Sequence, residues 1–418
     1  MVIFLIFIAL LLLSTPIAVA IGLTSFFAIL KSGVSIDVFA RTTFSLMAIP
    51  FFVFAGDLML AGGASKRLID MARKWVGWTT GGLPIAGTLA SMLFAALSGS
   101  SPATVAAIGG IMIPSMKEAR YPPRFAVGLM CAAGSLGIII PPSITLLVYG
   151  AVAEVSISQL FIAGIIPGIF IGFVLIIVSY IFAKKQGHKP DERASMKEVW
   201  KSTVDAIWGI VMPLIVLGGI YKGIFTPTEA AAVAIVYSFI IGFFIYKGLT
   251  IKELFKVAKR SVVTSSMIML VIASAKVLSW YLTFEKIPTM LSETLIQYAT
   301  SPAMFLILIM VLLLIVGMFM DSSAAVLILV PLFLPIAIEM GISPIHFGII
   351  MIVNLAIGML TPPFGLNLFV ASGISKMSLT SVTRGAVPFI IVLIGTLLVI
   401  TFIPQLSLYL PDQTNLTN

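Results

Sequence analysis

Charge is scarce in this chain. Aspartate, glutamate, lysine and arginine make up 10% of its 418 residues, where a soluble domain carries roughly 25%. Too few polar side chains are present to coat a water-facing globule, which excludes an ordinary soluble enzyme or binding domain. Cysteine is rarer still: the lone Cys131 permits no intrachain disulfide and lies in an apolar run, where a thiol packs as a small hydrophobe. The two histidines, His188 and His346, have no cysteine or histidine neighbours at ligand spacing, so no donor set for a transition metal is visible. The dipeptide Gly-Lys never occurs, and with it goes the phosphate loop of nucleotide-driven pumps. HExxH and paired aspartates inside apolar stretches are also missing, which removes the usual intramembrane enzyme chemistries.

What is present is hydrocarbon. Apolar residues make up 60% of the chain, and the mean hydropathy is +1.17. Apolar stretches run about 3–30, 44–64, 83–116, 125–153, 160–183, 207–221, 230–246, 261–282, 303–338, 346–372 and 385–404, many near the ~20 residues that span a bilayer. The fold class is therefore an all-α polytopic membrane protein. The first stretch lacks a basic leader and exceeds a signal-peptide core, so it reads as a retained helix. The net charge of +9 is a topology signal in this setting. Trp75, Trp78 and Trp280 mark membrane interfaces.

Loop charges orient the chain if 83–116 and 303–338 each turn back inside the membrane. The loops 65–80, 117–124, 184–201, 247–260 and 373–384 then share one side and hold 20 of the 25 lysines and arginines. The opposite loops hold four, at 31–43, Lys222 and Lys286. By the positive-inside rule the crowded side is cytoplasmic. The N-terminus is expected in the cytoplasm and the C-terminus outside.

The halves repeat. Pro141-Pro142 and Pro362-Pro363 lie 221 positions apart, and the same offset relates Pro114 to Pro335, Gly164 to Gly385 and Pro167 to Pro388. Ser100-Ser101 falls opposite Ser322-Ser323 with a shift of one more. Because the two re-entrant segments enter from opposite sides, these are inverted repeats, a frequent transporter plan. Each repeat has a re-entrant hairpin and a Pro-Pro-interrupted helix. The 14 residues 84–97 make about 21 Å of helix, short of the ~30 Å hydrocarbon core. The arm must stop midway, and Ser98-Gly99-Ser100-Ser101-Pro102 supplies the stop, with Ser101 as N-cap of the returning helix. Met320-Asp321-Ser322-Ser323 does the same in the second repeat with an Asx or Ser cap. Proline pairs leave carbonyls without helical partners, which lipid tolerates only where protein, water or an ion satisfies them. Those carbonyls, with the hydroxyls of Ser98, Ser100, Ser143, Ser322, Ser323 and Thr361 and the amide of Asn367, form candidate cages for a hard monovalent cation. Half-helix N-termini suit a carboxylate. Oxygen-rich neutral tips favour sodium over protons, since Asp57, Lys276 and Asp321 are too scattered for a relay. Asp321 reads either as an ion ligand or as a helix cap, and Lys276 either attracts an anion or snorkels.

Several motifs together resemble the large membrane subunit (M subunit) of the tripartite ATP-independent periplasmic (TRAP) transporters. They are Ile49-Pro50-Phe51-Phe52, Gly81-Gly82-Leu83-Pro84, Leu97-Ser98-Gly99-Ser100-Ser101, Ile140-Pro141-Pro142-Ser143, Gly164-Ile165-Ile166-Pro167-Gly168, Phe225-Thr226-Pro227-Thr228-Glu229-Ala230-Ala231, His346-Phe347-Gly348 and Thr361-Pro362-Pro363-Phe364-Gly365. Phe364 departs from the smaller aliphatic residue often found there. The resemblance implies an elevator-type sodium transporter fold. Scaffold helices and an arm would occupy 1–82, and the first transport half 83–183. A cytoplasmic loop and further scaffold helices would occupy 184–302, the second transport half 303–404, and a periplasmic tail 405–418. It implies one sodium site at Ser98, Ser100, Ser101, Gly137, Pro141 and Ser143. A second sodium site would lie at Asp321, Ser322, Ser323, Thr361, Gly365 and Asn367. Substrate would meet Ser100, Ser101, Ser322 and Asn367. It further implies Na+ as the coupling ion, a small membrane subunit (Q subunit) expected as a separate chain, and a periplasmic binding protein (P subunit). The cargo would be an organic anion, with sialic acid or a related sugar acid ahead of a C4-dicarboxylate, in the bacterial inner membrane. The alternative is a stand-alone sodium- or proton-coupled carboxylate transporter of the same fold.

Overall fold

The computed structural model describes residues 47–188, 190, 192–284 and 301–413. The expected first span at 3–30, the loop 287–300, residues 414–418 of the tail and the side chains of Lys276 and Trp280 lie outside what is described.

Every regular element among the described residues is helical. α1 (Ala48–Ala61) bends by 64° into α2 (Ala64–Val76). α2 is strongly amphipathic: Leu68, Ile69, Met71 and Ala72 are buried while Lys66, Asp70 and Arg73 face outward. α3 (Gly82–Ser98) ends at Gly99, and α4 returns as Ser101–Thr104, a π segment Val105–Gly109 and Gly110–Glu118. α5 (Pro123–Ser135) runs through the short 3₁₀ turn Leu136–Ile138 and breaks at the prolines, after which α6 (Ile144–Ala153) resumes. α7 (Ile157–Lys185), α8 (Met196–Tyr221), α9 (Pro227–Ile240) and α10 (Ile251–Phe284) follow. The second repeat comprises α11 (Pro302–Phe319), α12 (Ser322–Glu339), α13 (Pro344–Gly358), α14 (Leu366–Ser375) and α15 (Leu379–Phe402), and α16 (Gln405–Asp412) closes the described chain.

Six of these helices are long and apolar enough to cross a bilayer, and α1 with α2 make a seventh if counted as one bent span. The chain is a multi-pass membrane protein. Short polar residues start the helices. Ser156, Ser301 and Ser378 accept from the first-turn N–H groups, and Ser195 with Glu198 and Thr226 with Glu229 form capping boxes. Each such cap satisfies amides that lipid would leave unpaired, and contributes about 1 kcal/mol.

The repeat is visible in the element boundaries. α4 and α12 start at Ser101 and Ser322, end at Glu118 and Glu339, and are followed by helices starting at Pro123 and Pro344. Each pair is offset by 221. Pro114 and Pro335 lie inside the returning helices, and Pro167 and Pro388 inside α7 and α15. The extra shift of one expected at the tips is therefore absent. Ser100 and Asp321 are the equivalent N-cap positions, so Ser101 is the first helical residue rather than the cap.

The five basic loops meet at one end of the molecule. Lys74 pairs with Glu198 at 3.2 Å, and the Tyr121 ring stacks on His188 at 3.8 Å. Lys117 donates to the Ser375 carbonyl at 3.2 Å and Arg124 to the Ser381 hydroxyl at 3.4 Å. Arg67 donates to the Tyr246 carbonyl at 3.2 Å. A single crossing at either re-entrant segment would have sent some of these loops to the opposite end.

Candidate functional site

The two hairpin tips and the two proline breaks converge. Gly99 adopts a left-handed φ of +58°, the backbone that ends α3 and that side chains disfavour. Its carbonyl accepts from the Ile144 N–H at 3.2 Å, just beyond Pro141-Pro142. A Cβ on Gly99 would meet the Pro142 oxygen at 3.0 Å. From the other side, a Cβ on Gly137 would strike the Ser100 carbonyl and lie 2.6 Å from the Thr104 hydroxyl. Glycine is required at both positions for the tip to seat on the break.

Hydroxyls and carbonyls fill this first junction. The Ser98 hydroxyl lies 2.9 Å from that of Thr104 and donates to the Ser100 carbonyl at 3.3 Å. Thr104 donates to the same carbonyl at 2.9 Å. Ser143 caps α6 and donates to the Ile138 carbonyl at 2.7 Å. Five of the six residues assigned to the first ion site, Ser98, Ser100, Gly137, Pro141 and Ser143, thus lie at this junction. Ser101 turns away. Its hydroxyl and the Asn367 amide are paired at 2.7 Å, and both side chains are fully buried.

The second junction is arranged differently. Asp321 is exposed, and its carboxylate accepts from the Ser323 N–H at 2.8 Å, so it serves as the Asx cap. Ser322 is 1% exposed and its hydroxyl lies 3.1 Å from that of Thr145. Thr361 donates back to the Ile357 carbonyl at 2.7 Å, and Gly365 N–H to the Thr361 carbonyl at 3.2 Å. Among the described residues no hydrogen bond joins tip 320–323 to break 359–367. The two meet through the Phe319 and Phe364 rings, 5.7 Å apart. Phe364, the residue unusual for its place, is 54% exposed.

The repeats are cross-stitched. Ser101, which starts the first returning helix, binds Asn367 after the second break. Ser322, which starts the second, binds Thr145 after the first break. Sequence reading chose Ser101, Ser322 and Asn367 but missed Thr145 and Thr104. Neither belongs to a motif repeated at the 221 offset, and only their neighbours at 143 and 101 hinted at them. Among the described residues no hydrogen bond reaches the carbonyls of Pro141, Pro142, Pro362 or Pro363. These are the free oxygens that broken helices were expected to leave.

Between the tips and α10 lies a cavity of about 360 Å³. Ser100 and Pro102 line it from one tip, Asp321, Ser322 and Ser323 from the other, and Thr264 and Met267 from α10. Ser100 and Ser322 line this cavity, while Ser101 and Asn367 do not. Among the described residues no lysine or arginine lines the cavity. Charge on an anion there would be met by the starts of α4 and α12, whose free N–H groups carry partial positive charge. No group of three or more histidine, cysteine or acidic side chains suited to a metal occurs among the described residues.

Comparison with known proteins fits this geometry. Residues 4–406 match the family described as "Tripartite ATP-independent periplasmic transporter, DctM component". The C4-dicarboxylate TRAP transporter large permease protein DctM of Pseudomonas aeruginosa is 48% identical over 369 residues, 88% of this chain and 86% of that protein. The isethionate TRAP transporter permease protein DctMQ of Oleidesulfovibrio alaskensis is 41% identical, over 96% of this chain and 64% of that protein. The sialic acid TRAP transporter large permease protein SiaM of Vibrio cholerae is 39% identical, over 88% of this chain and 86% of that protein. Among solved structures, the Alcanivorax borkumensis YdaH transporter superposes with a TM-score of 0.60 at 14% identity, over 85% of this chain and 84% of that one, a likeness of fold.

Proposed function

The chain belongs to the DctM component family of the tripartite ATP-independent periplasmic transporters, and on that premise we propose that it imports an organic acid by sodium symport. The observation that supports the reading is the meeting of both tips and the first break around one cavity, with the second break tied to the first tip through Ser101 and Asn367. Sodium ions fit the oxygen-rich junctions: Ser98, Ser100, Gly137, Pro141 and Ser143 at the first, Asp321, Ser323, Thr361 and Gly365 at the second. Hard cations take such hydroxyl and carbonyl oxygens. Substrate rests between Ser100 and Ser322.

α3–α7 and α11–α15 form the transport domain, which moves as an elevator against α1, α2 and α8–α10. The basic end faces the cytoplasm of a bacterial inner membrane. A small membrane subunit extends the fixed part, as a separate chain or joined to this one, as the greater length of the isethionate relative suggests. A periplasmic binding protein delivers the cargo. The higher identity to the C4-dicarboxylate relative supports that class as the first candidate cargo. The sialic acid relative, at 39%, keeps sugar acids second.

Uptake into proteoliposomes tests the reading. The vesicles hold this chain and its small partner, with binding protein outside and a sodium gradient present or collapsed. Labelled succinate should accumulate only with both gradient and binding protein. Uptake independent of sodium would refute the coupling. Uptake without binding protein would favour a stand-alone carboxylate transporter, and uptake of sialic acid but not succinate would reverse the substrate order.

A further inference from the structure

A second cavity lies at the basic end, away from the tips. Its volume is about 390 Å³, within the range of small-ligand sites. Lys66, Arg67, Asp70 and Arg73 of α2 line one side, Asp205 of α8 another, and Ile111 of α4 supplies an apolar wall. Positions 66, 70 and 73 share a helix face. Arg67 is engaged: its guanidinium donates to the Gly63 carbonyl at 3.0 Å and lies 3.9 Å over the Tyr246 ring. The other four charges are not. Among the described residues Lys66, Asp70, Arg73 and Asp205 make no ion pair or hydrogen bond. Two cations and two carboxylates border one space without pairing with each other.

The depth of this space is marked by tryptophan. The Trp75 indole N–H donates to the Thr203 hydroxyl at 2.9 Å, tying α2 to α8. Trp78 donates to the Trp75 carbonyl at 2.9 Å and carries Arg193 at 4.9 Å over its ring. Trp200 is 71% exposed on α8. Tryptophan gathers at the level of lipid head groups, an amphipathic helix such as α2 rests there, and basic pockets between helices at this level take phosphate head groups.

We propose that this cavity binds the head group of a zwitterionic phospholipid, its phosphate between Lys66 and Arg73 and its ammonium against Asp70 and Asp205. The mixed charge selects the class. A purely anionic head group would satisfy the cations and face two carboxylates, whereas a phosphate ester bearing an ammonium matches both signs. Soluble phosphoethanolamine shares that chemistry. The acyl chains distinguish the lipid, because they add burial along the exposed apolar side chains beside the cavity.

The test uses the full chain with its small membrane partner, taken from bilayers of equal parts ethanolamine and glycerol phospholipid, and native mass spectrometry of the retained lipid. Ethanolamine lipid should be enriched on the native complex. Lys66→Gln and Arg73→Gln should each lower retention about fivefold, while Lys66→Arg should preserve it. Asp70→Asn with Asp205→Asn should turn the preference toward glycerol lipid. Equal retention of both lipids by the native complex would overturn the proposal, as would retention unchanged in both cation variants. Displacement of the lipid by soluble phosphoethanolamine at equal concentration would assign the site to a soluble ligand instead. Each side chain replaced is exposed and unpaired, so folding is spared.

Discussion

Gly137→Ala is the sharpest perturbation of the first junction. A Cβ at this position lies 2.6 Å from the Thr104 hydroxyl oxygen and closer still to the Ser100 carbonyl. Ordinary contact begins near 3.4 Å, so the tip must retreat by roughly 0.8 Å or more, since helices pack too densely to absorb the difference. Overpacking of this kind costs about 1–3 kcal/mol. If that cost falls on the seated tip, the sodium-loaded form is weakened roughly 5- to 140-fold. The assay is the sodium dependence of uptake in proteoliposomes, with Gly395→Ala as control, because nothing lies within 4 Å of a Cβ there. The half-saturating sodium concentration should rise steeply for Gly137→Ala and stay put for Gly395→Ala. Equal sodium dependence in both variants, with both folded and assembled, would show that the junction of Ser100 and Gly137 is not an ion site.

Three further outcomes are expected. Thr145→Val leaves the buried Ser322 hydroxyl without its partner, at a cost of about 1–3 kcal/mol; thermal melting should drop and the KM for substrate should rise, and no change in either would detach tip two from the first break. Ser101→Ala and Asn367→Ala should couple in a double-mutant cycle by about 0.6 kcal/mol, with an upper bound near 1.7 for a bond inside the membrane; strictly additive losses of thermal stability would rule the bond out. Asp321→Asn keeps an oxygen to cap Ser323 and removes the charge; sodium dependence should weaken while the protein still assembles, and retained dependence would reduce the carboxylate to a cap.

The two tip-and-break junctions differ more than their sequences suggest. Gly137 and Gly358 are equivalent at the 221 offset, yet they do opposite things. Gly137 admits the Ser100 carbonyl of its tip, whereas a Cβ on Gly358 would meet the Gly317 Cα at 2.6 Å. The second glycine instead lets α11 and α13 approach. Tip one is therefore hydrogen-bonded to its break, and among the described residues tip two is not.

Much of this architecture was legible before any coordinates. Shortage of charge placed the chain in lipid, since a hydrocarbon solvent forces nearly every polar backbone group into helices. Where the helices stop was also readable: Pro141-Pro142 and Pro362-Pro363 cannot continue a helix, and Gly99 ends one. The loop charges placed five basic segments together, and the contacts of Lys74, Lys117, Arg124, Arg67 and Tyr121 put them at one end. These features are local or compositional, so sequence determines them directly. Partnership is not local. Ser101 with Asn367 and Ser322 with Thr145 join residues separated by 266 and 177 positions. Nothing in either segment names the other, because the choice depends on how inverted repeats interlock. The same holds for Thr264 and Met267, which carry no motif and reach the cavity only because α10 packs beside the tips. Sequence by itself determined that the helices break, at which residues, and toward which end the charge lies. Tertiary packing alone decided which tip faces which break, because a side chain's partner inside a membrane is set by helix crossing and depth.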